Sequence, residues 1–144
     1  MNSCRACAVL FSLLLLLPAH AETKTELGAT MKDMAGATHR VQADLKLTDD
    51  TKHNQPADLK DVATMKTDAI KAHNLVPQKE QNLPPDQQAA MTASYQKDMD
   101  AFAADIDALS TDIQASKWDA ARADFQKLMT DEKSGHKAYR IKKD

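Results

Sequence analysis

The chain has 144 residues, 28% of them charged, and a formal net charge of −2 at neutral pH. That charge offers nucleic acid no electrostatic footprint, and the length allows one domain with a modest core. Its two cysteines, Cys4 and Cys7, stand at the very start, so the body of the chain must hold together without disulfides.

The first residues read as an export signal. Arg5 supplies a positive start, Ala8 to Leu17 is an almost unbroken apolar run, and Pro18 ends it. Ala19-His20-Ala21 then places small residues three before and one before a cut after Ala21. The apolar run is too short to span a membrane comfortably. Cys4 and Cys7 fall in the segment expected to be removed, so no redox or metal role is expected for them. Residues 1–21 are therefore expected to be a signal peptide and Glu22–Asp144 a single mature domain. Losing Arg5 takes the net charge to −3, and a signal of this plainness points to a bacterial periplasm.

The mature chain divides into four helical blocks. The first begins near Thr25 and repeats Leu27, Met31, Met34, Thr38, Val41 and Leu45 at steps of four and three. Gly28 and Gly36 weaken it, so tertiary packing must hold it. Thr48 to Pro56 is polar and reads as a loop. The second block runs from about Ala57 to Asn74 with Leu59, Val62, Met65, Ala69 and Ala72 inward and Ile70 beside them, and Pro56 suits its first turn.

Pro77, Pro84 and Pro85 bracket a second break. Asp86 opens the third block, where Met91, Tyr95, Met99, Phe102, Ile106, Leu109 and Ile113 form the cleanest amphipathic stripe in the chain. Ser116 and Asp119 have the spacing of a capping box for the fourth block. That block carries Trp118, Ala121, Phe125, Leu128 and Met129 inward, and the same steps land on His136. No period-two alternation of β-branched residues occurs. The expected fold is all-α: an antiparallel up-down-up-down four-helix bundle with short connections.

Heights along such a bundle follow from a rise of about 1.5 Å per residue. Met31 and His136 then both lie roughly 9 Å from the same end, on neighbouring helices. Met34, Met65, Tyr95, Met99 and Met129 reach that level too. Most methionines in bundles are flexible core filler, and Met34, Met91 and Met129 are assigned that role. Thioether and imidazole facing each other in an apolar pocket form a haem-iron environment.

Two stretches carry a resemblance to a known family. Leu27-Gly28-Ala29-Thr30-Met31 resembles the L-x-x-x-M near the mature N-terminus of the cytochrome b562 family, and His136-Lys137-Ala138-Tyr139-Arg140 resembles its H-x-x-Y-R. Met65 to Ala72 followed by Pro77 is similar to the family's second helix, and Tyr95 and Met99 fall where it has aromatics against the haem. Glu132 and Gly135 depart from the arginine and tyrosine of its best-known members. The resemblance implies a haem b with Met31 and His136 as axial ligands and Met65, Tyr95, Met99 and Arg140 around it. It implies electron transfer rather than catalysis. The absence of CxxCH before the histidine makes the binding non-covalent.

Two other readings compete. Met31 and Met34 with His39 could offer soft ligands to copper(I), but His39 lies about 80° around the helix from Met31. A helical adaptor or chaperone without cofactor is the other. His39, His53 and His73 are expected to be solvated. No nucleophile and base pair, phosphate loop or HExxH is present, so no enzyme is expected. The partner would be a redox protein of unknown identity, with no nucleic acid and no membrane for the mature form, and the chain a monomer.

Overall fold

The computed structural model describes residues 19–141, with side chains from Glu26 onward. The expected signal peptide lies outside these residues but for its last three, whose backbone opens the first helix. Four helices follow: α1 (Ala19–Leu45), α2 (Gln55–His73), α3 (Pro85–Gln114) and α4 (Trp118–Tyr139). Single 3-10 segments occupy Asp50–Lys52 and Gln78–Asn82 in the first two connections. No strand occurs among the described residues, and none of the described helices is long and apolar enough to cross a membrane. The fold is the all-α four-helix bundle that the periodicity predicts.

Cross-helix partners fix the directions. Between α1 and α2, Arg40 meets Asp61 at 2.7 Å and Glu26 meets Lys71 at 3.2 Å, so one number rises as the other falls. Lys66 with Asp107 and His73 with Asp100 repeat the pattern between α2 and α3, and Lys127 with Asp105 and Tyr139 with Asp98 repeat it between α3 and α4. Each neighbouring pair is antiparallel. These exposed ion pairs add little stability singly. The stabilising term is burial of the inward stripes.

Val41, Val62, Met65, Ile106, Leu109, Ile113 and Leu128 are at most 1% exposed. Ala37, Ala69, Ala72 and Ala121 are fully buried between them, and side chains this small let the helix axes approach. Ile70, expected beside the core, is instead 53% exposed, because it follows Ala69 by one residue and a helix turns about 100° over that step.

The turn from α3 to α4 corrects the expected capping box. Ser116 takes φ 54°, the left-handed conformation, and ends α3 rather than capping α4. The Ser116 N–H donates to the Ile113 carbonyl at 2.9 Å and the Lys117 N–H to the Asp112 carbonyl at 2.8 Å, the reciprocal pair of a left-handed helix stop. The Ser116 hydroxyl accepts from Gln55 Nε2 at 3.1 Å and is thereby engaged with α2. A three-residue reversal this tight needs a left-handed residue, and that need overrides the capping pattern.

His53 is the second correction. Expected in solvent, its side chain is fully buried and stacks on Trp118 with ring centres 4.0 Å apart. The 3-10 segment at Asp50–Lys52 folds the first connection back over the end of α4 and carries His53 with it.

One seam of the bundle stays open. α1 packs along α2, α2 along α3 and α3 along α4, but α1 and α4 barely touch. The site lies at that seam.

Candidate functional site

A cleft of about 720 Å³ runs between α1 and α4 and reaches α3 behind them. That volume falls within the range of ligand pockets, roughly 300–1,000 Å³. Its inner wall is apolar, with Leu27 and Met34 from α1 and Tyr95, Met99 and Phe102 from α3. Met31 and His136 both line it, from opposite sides of the open seam. Periodicity places both on inward stripes, yet Met31 is only partly buried and the His136 side chain is 45% exposed. Inward-pointing residues that stay accessible mark where the core is missing.

Two glycines keep the gap open. Gly28 on α1 and Gly135 on α4 both line the cleft, and a Cβ added at either would meet nothing within 4 Å. Neither helix therefore projects a side chain into this part of the seam. A flat group can enter between the backbones there.

The histidine is held by its helix. His136 Nδ1 faces Glu132 Oε1 at 3.9 Å, one turn back, and Nε2 has no hydrogen bond among the described residues. The α4 C-terminus is braced from the second connection: Lys79 Nζ donates to the Lys137 carbonyl at 2.6 Å, and the Ile141 N–H donates to Gln78 Oε1 at 3.2 Å. The Arg140 N–H closes the helix by donating to the His136 carbonyl at 3.1 Å, and its exposed side chain lines the cleft.

Two tyrosines form the floor. Tyr95 donates from its hydroxyl to the Ala72 carbonyl at 3.0 Å, and burial pushes its phenol up to about 12. Tyr139 meets it edge to face at 5.2 Å and donates to Asp98 Oδ2 at 2.6 Å. Burial, then the Asp98 carboxylate, raises the Tyr139 phenol as well. Both stay neutral and fixed at physiological pH. Towards the rim, Asp105 is paired with Lys127, while burial and then the neighbouring Asp105 raise Asp131.

Of the residues singled out from the sequence, Met31, Tyr95, Met99, His136 and Arg140 line this one cleft. Met65 does not. It is fully buried in the core of α2, behind the wall rather than on it. Met34 lines the cleft and Met129 does not. His39, the third member of the copper(I) set, is exposed and lies outside the cleft, so Met31, Met34 and His39 do not converge. Pro77, Gln78 and Asp98 also line the cleft. In the sequence Pro77 reads as a helix breaker at the end of the stretch that resembles the family's second helix, and its burial depends on how the connection folds back.

The donor chemistry fits a haem. No group of three or more His, Cys, Asp or Glu side chains among the described residues could hold a bare ion. A haem iron brings four ring nitrogens of its own, so two protein donors suffice. One thioether and one imidazole on facing helices, an apolar slot and cationic side chains at its mouth match that requirement.

The family model for cytochrome b562 matches residues 26–140 of the chain. No curated protein matches it. The matched range begins just before Leu27 and ends at Arg140, the first and last of the cleft residues.

Proposed function

The chain belongs to the cytochrome b562 family of haem-binding electron-transfer bundles, and on that premise we propose that it is a periplasmic one-electron carrier holding a single non-covalent haem b through Met31 and His136. The observation that carries the reading is that these two residues line one cleft from opposite sides of an open α1–α4 seam, where Gly28 and Gly135 leave room on both helices. The family is one of electron carriers rather than of enzymes.

The haem, when bound, supplies one iron couple that gains or loses a single electron. Everything else is the work of the polypeptide. His136 and Met31 would be the two protein donors that hold the haem, one from each side of the cleft. A methionine and histidine pair also raises the reduction potential. Leu27, Met34, Met99 and Phe102 make the wall apolar and would keep water from a bound haem, and a low local dielectric would favour the less charged reduced state. Lys32 and Arg140 stand at the cleft with no ion pair among the described residues and are the groups available to a carboxylate there. Tyr95 and Tyr139, tied to α2 and α3, keep the floor rigid, so little rearranges when an electron moves. Because the seam faces solvent, a haem held there would be reachable by a partner redox protein. Export follows from the signal peptide at 1–21, and the carrier works as a monomer.

Titrating the full mature chain with hemin tests this reading. Uptake is expected to saturate at one haem per chain, with a low-spin spectrum, and acidified organic solvent should then extract all the pigment. A protein that ignores hemin and takes up copper(I) would replace this reading with the metal-binding one.

A further inference from the structure

The end of the bundle remote from the cleft holds a buried acid cluster. Asp58, in the first turn of α2, is 3% exposed, and its Oδ2 has no hydrogen-bond partner. Asp44, in the last turn of α1, accepts from the Asn54 N–H at 3.1 Å and has Oδ2 2.6 Å from His53 Nδ1. A carboxylate only accepts, so that contact requires the proton of the imidazole to sit on Nδ1. His53 in turn lies on Trp118, the only tryptophan of the chain, at the start of α4. The Asp58 N–H donates to the Asn54 carbonyl at 3.0 Å and its carboxyl is bonded to Asp44, so one line of contacts joins α2, α1, the first connection and α4.

Several cations at this end are engaged with other groups. On α1, Arg40 is doubly bonded to Asp61 of α2 at 2.7 to 3.1 Å. On α4, Arg122 is bonded to Asp119 at 2.9 Å and to the Leu47 carbonyl at 3.2 Å, and it stands 3.7 Å from Asp50. In the connection, Lys52 is paired with Asp49 at 3.3 Å, and Asp50 stands 3.6 Å from His53 Nε2. In the α3–α4 turn, Lys117 faces Asp112 at 4.0 Å. No cation among the described residues is bonded to Asp58. Two carboxyl groups packed together without one cannot both ionise cheaply.

We propose that this closed end is a proton-binding site in which Asp58 and Asp44 share one proton, and that its loss in mildly alkaline solution releases the first connection and lifts His53 from Trp118. The charge distribution supports it. Burial, then the bond and charge of Asp44, push Asp58 up to about 8, while Asp44 is held low, against its own burial, by the bonds from Asp58, Asn54 and His53. The folded pKa of Asp58 thus lies above its unfolded value of about 3.9. The stability this proton confers is full below the unfolded value and is lost as pH rises through about 8. None of these residues lines the cleft, so the proposal stands whether or not the cleft takes haem.

The full mature chain, carrying whatever cofactor it is isolated with, is titrated from pH 6 to 9 while the fluorescence of Trp118 and the thermal midpoint are followed. Both are expected to change in one step centred near pH 8. In Asp58→Asn, whose amide keeps the donor to Asp44 and cannot ionise, the step should vanish and the midpoint at pH 9 should exceed that of wild type. A flat wild-type profile, or a step that persists in Asp58→Asn, overturns the proposal. If that variant does not fold, the side-chain carboxyl carbon of Asp58 is followed by NMR in the wild type. A protonated shift at pH 6 that moves to the ionised value by pH 9 supports the site, and an ionised shift throughout overturns it.

Discussion

Replacing His136 by alanine is expected to weaken haem binding by more than about a hundredfold while leaving the haem-free protein as stable as before. Removing a residue that merely orients a metal ligand already costs about 10- to 100-fold, and His136 is assigned as the ligand itself. Its side chain is 45% exposed, and its ion-pair partner among the described residues is Glu132 at 3.9 Å, so nothing in the core depends on it. Surface substitutions of that kind change stability by less than about 0.5 kcal/mol. Hemin titration followed by absorbance reads the first quantity, and urea unfolding of the haem-free chain reads the second. His39→Ala is the control, since His39 is exposed and outside the cleft, and it should change neither.

Phe125→Ala should show the opposite pattern. Phe125 is 2% exposed, lies on α4 nearer the closed end and does not line the cleft. Truncating a buried phenylalanine costs about 3–5 kcal/mol through lost transfer energy and the cavity left behind. A domain of this size has only about 5–15 kcal/mol to lose. The urea midpoint is expected to fall steeply with an unchanged slope. Haem affinity, measured where the variant is still folded, should stay within a few-fold of wild type. The two variants together separate a scaffold, held by the closed half of the bundle, from a site carried by the open seam.

Much of that division was legible before any coordinates. The stripe from Tyr95 to Ile113 identifies α3 because its partners lie on the same helix, three and four residues away. Met31 and His136 could be set at one height because a helix has a fixed rise and the breaks force antiparallel neighbours. Contacts that local periodicity does not encode were illegible. His53 sits in a polar stretch and is buried only because Trp118, 65 positions later, lies beneath it. Ser116 follows a capping pattern but is taken by the reversal that joins α3 to α4. Met65 obeys the inward period, yet the period does not say whether an inward residue faces another helix or a gap. The gap itself follows from the pairings: α1 is held by α2 and α4 by α3, and Gly28 and Gly135 leave nothing to bridge them.

The assignment of Met31 over Met34 is the point on which the account turns, because both line the cleft. Proton NMR of the reduced, haem-loaded protein separates them. A methionine methyl held against the iron lies over the porphyrin ring, whose ring current moves its resonance upfield of every other methyl. One such resonance is predicted for wild type and for Met34→Leu, and none for Met31→Leu. Its survival in Met31→Leu with loss in Met34→Leu, or its absence from the wild type, would contradict the Met31 and His136 pair.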